Sequence, residues 1–218
     1  MIDYDEVIDQ VMLYFSQGDF VEEVAEAKNE FHKTVGIFDE ESIDLEGKIN
    51  LFLDWYVFYR PLKDKGKTPV QLICENEIEI PADWSEKSKS LCESRHSLFE
   101  FIKVKGEDVH IKDLYSGYKM ILKKSLFILG FSKSEIFSAR LFPFEDTFIF
   151  SKAFCIHPAE ACKFILKEVK KINKLKGDEL EKAREELIFR LLKMRYKIEQ
   201  YKHINIEDIY TNEPKLRI

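Results

Sequence analysis

Two thiols and an imidazole fall within eight residues in CIHPAEAC, where Cys155, His157 and Cys162 are side chains of the kind that hold zinc. Zinc sites usually draw closely spaced ligand pairs from two places, and no second pair stands elsewhere in the chain. The expectation is therefore no metal and no cofactor, with ordinary buried cysteines where a strand meets a helix. Nucleophilic chemistry finds no better footing. There is no GxSxG elbow, and His32, His96, His110, His157 and His203 lie in different segments with no spacing that names a partner. Cys92 and His96 stand one helical turn apart, which is a common surface coincidence. Eight glycines form neither GxGxxG nor GxxxxGK, so the usual phosphate loops are missing. In EDVHIKD, Asp108, His110 and Lys112 alternate with Val109 and Ile111, as a half-buried strand requires.

Charges among apolar neighbours are more informative. FLDWYVFYRP places Asp54 between Phe52, Leu53, Trp55 and Tyr56, and Arg60 directly after Tyr59. Arg95 precedes the first apolar run of a new kind, and Arg140 sits in FSARLFPF. A buried charge is costly unless paired, so at least one carboxylate–arginine pair is expected to tie a helical half to a sheet. Asp54 with Arg95 or Arg140 is the expected pair. An arginine that binds an anionic ligand is the functional alternative. The rings Phe52, Trp55, Tyr56 and Tyr59 share a face, yet Leu51, Phe58, Leu62, Leu53 and Val57 make the segment apolar nearly all round. That pattern predicts a central buried helix rather than a stacking platform.

These residues are positioned by elements of two periods. DYDEVIDQVMLYFS, FVEEVAEAKNEFHKTVG and a stretch from about Asp39–Ser42 to Tyr59 read as helices, the last ended by Pro61. Thr68 and Pro69 predict a capped short helix, and DWSEKSKSLCES a further one. From His96 five runs rich in Phe, Ile and Val (SLFEFIKV, DVHIKDL, GYKMILKK, EIFSARLFPF, TFIFSKAFCI) predict a five-stranded antiparallel meander, open or curled into a small barrel. After Pro158 come two helices, the second from Asp178 to about His203, with Leu180, Leu187, Met194 and Tyr201 at heptad spacing. The expected class is α+β: a helical region over 1–94, an antiparallel β region over 95–157, C-terminal helices over 158–203 and a tail over 204–218, together one compact unit.

The 218 residues, 45% hydrophobic with 18 Phe against 8 Gly and 6 Pro, describe a chain able to bury a sizeable core. No apolar run is long enough to cross a bilayer, and neither membrane partner nor secretory leader is expected. A cytoplasmic location follows, and with it the expectation that Cys74, Cys92, Cys155 and Cys162 stay reduced. A formal net charge of -6 conceals an asymmetry: residues 1–50 carry 14 acidic against 3 basic side chains, and residues 163–202 carry 13 basic against 7 acidic. Glutamates interleave that basic arm, as on a solvated helix face, so nucleic acid is a secondary reading.

FLDWYVFYRPLKDKGKTPVQLICEN, followed by SLFEFIKVKGEDVHIKDLYSGYKMILKKS and FSKSEIFSARLFPFEDTF, resembles uncharacterised bacterial proteins that sometimes carry a SecA-type zinc-binding tail. The likeness spans roughly residues 50–156 and rests on scattered aromatics with Gly66, Thr68, Asp113, Gly117 and Arg140. It implies no activity. The cysteine-rich tail is missing here, since HINIEDIYTNEPKLRI has no cysteine, so no zinc role transfers. The function these readings favour is a non-enzymatic binding or adaptor protein with a protein partner. The alternatives are a nucleic-acid-associated protein using residues 163–202 and a hydrolase assembled from separated residues. A homodimer through residues 178–203 is a further expectation of the heptads.

Overall fold

The computed structural model describes residues 4–36, 45–78, 90–123, 125 and 132–213. The fold is α+β with one antiparallel sheet, and among the described residues no helix is long and apolar enough to cross a membrane. The chain divides into two compact units, residues 1–95 with 140–154 and residues 96–139 with 155–218, and the division falls within one strand.

The first unit is built on α1 (Tyr4–Tyr14), α2 (Val21–Val35), α3 (Leu45–Phe58) and α4 (Pro69–Cys74). Val7, Val11 and Phe15 repeat at a spacing that puts them on one face, and all three are buried. In α2 the same logic buries Ala27, Phe31 and Val35. Helix α3 buries Leu51, Phe52, Asp54, Tyr56 and Val57, leaving Trp55 half-exposed, which fits a central helix flanked on several sides. The beginning expected for it near residues 39–42 lies outside the described residues, as does most of the helix expected over 83–94, of which a turn at 90–92 is described. Helix α4 starts as its sequence predicts: Thr68 accepts from the Gln71 amide while the Gln71 side chain accepts from the Thr68 amide.

The strands are β1 (Arg95–Lys105), β2 (Asp108–Asp113), β3 (Lys119–Leu122), β4 (Ile136–Phe144), β5 (Thr147–Phe150) and β6 (Cys155–His157). Their order is β3-β2-β1-β4-β5, with β6 also on β4, so the expected five-stranded antiparallel sheet forms with β1 in its interior. The run TFIFSKAFCI, expected as one strand, breaks at residues 151–154: β5 pairs the second part of β4 and β6 the first. In β2 the side chains of Val109, Ile111 and Asp113 are buried while Asp108, His110 and Lys112 are half-buried, the plain strand alternation.

The second unit adds α5 (Cys162–Ile172), α6 (Gly177–Gln200) and a one-turn α7 (Ile206–Ile209) to its strands. Its core joins Leu98, Leu114 and Ile136 with Ile165, Val169, Leu187, Leu191, Met194, Ile209 and Tyr210. Of the heptad positions of α6, Leu187 and Met194 lie in this core beside Leu191, with Ile198 packed against it, while Leu180 and Tyr201 are not among its members. The tail over 204–218 is likewise not an appendage at its start, because Ile209 and Tyr210 are core residues.

The cysteines depart from expectation. Cys74 and Cys92 are joined in a disulfide, because α4 and the turn at 90–92 bring their Cα atoms to 5.8 Å, within bridging range. Cys155 and Cys162 are free thiols, the first buried and the second half-buried.

Candidate functional site

In the first unit the charges singled out in the sequence are locked. Arg140 donates from Nε and from one terminal nitrogen to the two carboxylate oxygens of Asp54, at 2.7 and 3.0 Å, and from the other terminal nitrogen to Ser94 Oγ at 3.2 Å. Its guanidinium lies 3.8 Å from the centre of the Phe58 ring. Burial works against the guanidinium charge, but Asp54 and Tyr59 outweigh it and hold Arg140 protonated. Arg60 is also buried and binds Glu23 and Glu30 of α2. Arg95, the alternative partner for Asp54, stands exposed at the start of β1. Phe52 stacks on Tyr56, whose hydroxyl donates to the Phe15 carbonyl at 2.9 Å, and Trp55 packs on Phe31. Burial first, then Glu23, pushes the Tyr56 hydroxyl up to about 12. The crevice beside Asp54, lined also by Ile8, Leu53 and Ser151, measures about 20 Å³, room for one water. Asp54, Arg60 and Arg140 are thus each answered by an oppositely charged partner within this unit.

The thiol–imidazole constellation lies in the second unit. His157 is fully buried, with Nδ1 3.0 Å from the Tyr210 hydroxyl and 4.0 Å from Cys155 Sγ, while Nε2 has no hydrogen-bond partner among the described residues. Burial, reinforced by Arg195, lowers the imidazole to about 3, so it is neutral across the physiological range. Cys162 Sγ is directed instead at the Ser134 carbonyl, 3.9 Å away, and burial raises its thiol. The three candidate ligands thus do not converge, and among the described residues no group of three or more potential ligands could hold a metal ion.

What the second unit does present is a groove of about 380 Å³, lined by Glu168 of α5, Arg190, Lys193, Met194 and Lys197 of α6, and Ile209, Thr211 and Asn212. One wall is a closed ring of hydrogen bonds. Arg190 donates to Glu168 at 2.7 Å and to Asn212 Oδ1 at 3.1 Å, and Asn212 Nδ2 donates to the other Glu168 oxygen at 3.1 Å. Lys171 donates to that same oxygen. Burial would raise the Glu168 carboxyl, but these donors win and hold it below its ordinary range. The floor is apolar, with Met194 and Ile209 nearly covered. Lys193 and Lys197, one helical turn apart on the same face, make no ion pair among the described residues. The basic character of residues 163–202 is legible in the sequence, whereas the groove is not. The signal available was the i, i+3, i+7 spacing of Arg190, Lys193 and Lys197; nothing marked Glu168 or Asn212.

A family of unknown function, DUF7986, matches residues 16–209. The chain belongs to this family. Membership covers both units and all the groove residues before Thr211, and its description names no activity and no zinc-binding tail. Neither the curated proteins nor the solved structures include a significant match.

Proposed function

We propose that this DUF7986 protein is a non-enzymatic binding protein whose second unit docks an acidic, aliphatic-bearing segment of a protein partner in the groove along α6. The observation that carries this reading is the pairing of two uncommitted ammonium groups, Lys193 and Lys197, with the apolar floor of Met194 and Ile209. Carboxylates of a partner would meet the lysines, and an aliphatic side chain would meet a methionine, whose thioether adapts to varied shapes. Arg190 strengthens the wall rather than the rim, because both of its terminal nitrogens are occupied by Glu168 and Asn212.

The net charge of the C-terminal helices also favours a second reading, phosphate contacts to a nucleic acid. Less supports it. Among the described residues no aromatic ring lines the groove, so the lining offers no stacking platform for unpaired bases, and its arginine, Arg190, is already engaged.

Fluorescence anisotropy of a labelled glutamate–leucine peptide tests the proposal. Binding that weakens with salt, and falls about tenfold or more in the double variant Lys193→Glu/Lys197→Glu, is expected. Equal binding by that variant, or tighter binding of single-stranded RNA than of the peptide, would overturn it.

A further inference from the structure

We propose that Cys74 and Cys92 form a thiol–disulfide exchange site, a surface bridge that a small-molecule thiol opens and closes without unfolding the unit that carries it. Both cysteines are exposed residues, unlike Cys155, which is buried beside His157. Each end of the bridge is also held by contacts that do not depend on it. Cys74 closes α4, whose start is fixed by the Thr68 capping box and whose Leu72 and Ile73 are buried. Cys92 follows Leu91, 1% exposed, and lies two residues before Ser94, which accepts from Arg140.

Opening the bridge therefore leaves both anchors in place. The two Cα atoms stay near the 5.8 Å separation seen in the bridge, and the high effective concentration of the two thiols makes closure local. A staple that alone holds a fold together behaves differently, because its loss releases the chain on both sides.

The thiolate of a small thiol attacks one bridge sulfur, forming a mixed disulfide and releasing the other cysteine as a thiolate, which takes a proton from water. A second small thiol resolves the mixed disulfide, so that the bridge gains two electrons and two protons while two small thiols become one disulfide. The reverse sequence restores the bridge. Cys155 is shielded by burial, and the half-buried Cys162 is held mainly as the less nucleophilic thiol, so exchange is confined to Cys74 and Cys92.

The test uses the full chain in buffer without denaturant, with reduced and oxidised glutathione as the probe, alkylation followed by peptide mass spectrometry, and far-UV circular dichroism in parallel. Reduced glutathione should make Cys74 and Cys92 alkylatable while Cys155 stays protected, with the dichroism spectrum unchanged. Oxidised glutathione should then restore the same pairing. The double variant Cys74→Ser/Cys92→Ser should fold with the wild-type spectrum. A bridge that resists glutathione until denaturant is added, a spectrum lost on reduction or in the double variant, or reoxidation to any other pairing would each overturn the proposal.

Discussion

Asp54 and Arg140, 86 residues apart in sequence, face one another through two parallel hydrogen bonds, with Ser94 on the remaining guanidinium nitrogen and Phe58 across its face. Both side chains are nearly excluded from solvent, at 7% and 5% exposure. An ion pair at this depth gives back much of its Coulombic attraction as desolvation, so its contribution is read most clearly when it is broken on one side only.

Arg140→Met should destabilise the first unit by about 3–5 kcal/mol, because the Asp54 carboxylate is left buried without its partner. Asp54→Leu/Arg140→Met should cost less than Arg140→Met alone, since both charges leave the interior together. Urea unfolding of the wild type and the two variants supplies the comparison, and equal losses would mean that the pair is not the stabilising feature.

His157 sets a limit on acid stability. Its folded value of about 3 lies below the ordinary imidazole value near 6.5, so the unfolded chain binds the proton first. The stability this provides is complete above pH 6.5 and drains away as pH falls from 6.5 toward 3, by roughly 2–3 kcal/mol at pH 4.5. His157→Gln, which keeps a polar group opposite Tyr210, should flatten that acid limb. Thermal melts of both proteins from pH 7.5 to 4.5 would show it as converging curves.

The parts of the fold legible in the sequence are those set by local rules. Thr68 and Pro69 announced α4 by their own chemistry, and the Val–Ile alternation announced β2. Asp54 and Arg140 were recognisable because each stands alone among rings and aliphatics, where an unpaired charge is prohibitively costly. What stayed hidden depends on contacts between distant segments. Strand order is one such case, since β1 pairs with both β2 and β4 and no periodicity encodes that choice. Glu168 is another: its donors Lys171, Arg190 and Asn212 come from three separate stretches of a densely charged region, so a buried carboxylate there looks like any solvated glutamate.

Gly117 closes the turn between β2 and β3 at φ 73, with its amide bonded to the Asp113 carbonyl at 2.8 Å. A Cβ there would meet no atom within 4 Å, so the penalty of Gly117→Ala is backbone strain alone. A loss of about 1 kcal/mol is expected, and a smaller one for Gly117→Asn, since asparagine tolerates this conformation. Guanidinium unfolding of the two variants distinguishes strain from a steric clash, which would penalise asparagine more than alanine.

Glu168→Gln probes whether the groove depends on its wall. The amide keeps an acceptor for one donor but removes the charge that draws Arg190 and Lys171 together, and its NH2 faces the donor already supplied by Asn212. A stability loss of about 1–3 kcal/mol is expected from these weakened charge-assisted bonds. The proposed docking makes a further demand. Once Arg190 is released from Glu168, its guanidinium can turn toward the groove and add a cation to the rim, so the variant should bind the acidic peptide at least as tightly as the wild type while being less stable. Melting temperature and peptide affinity should therefore move in opposite directions; if they fall together, the carboxylate is needed for the shape of the groove more than it restrains the charge within it.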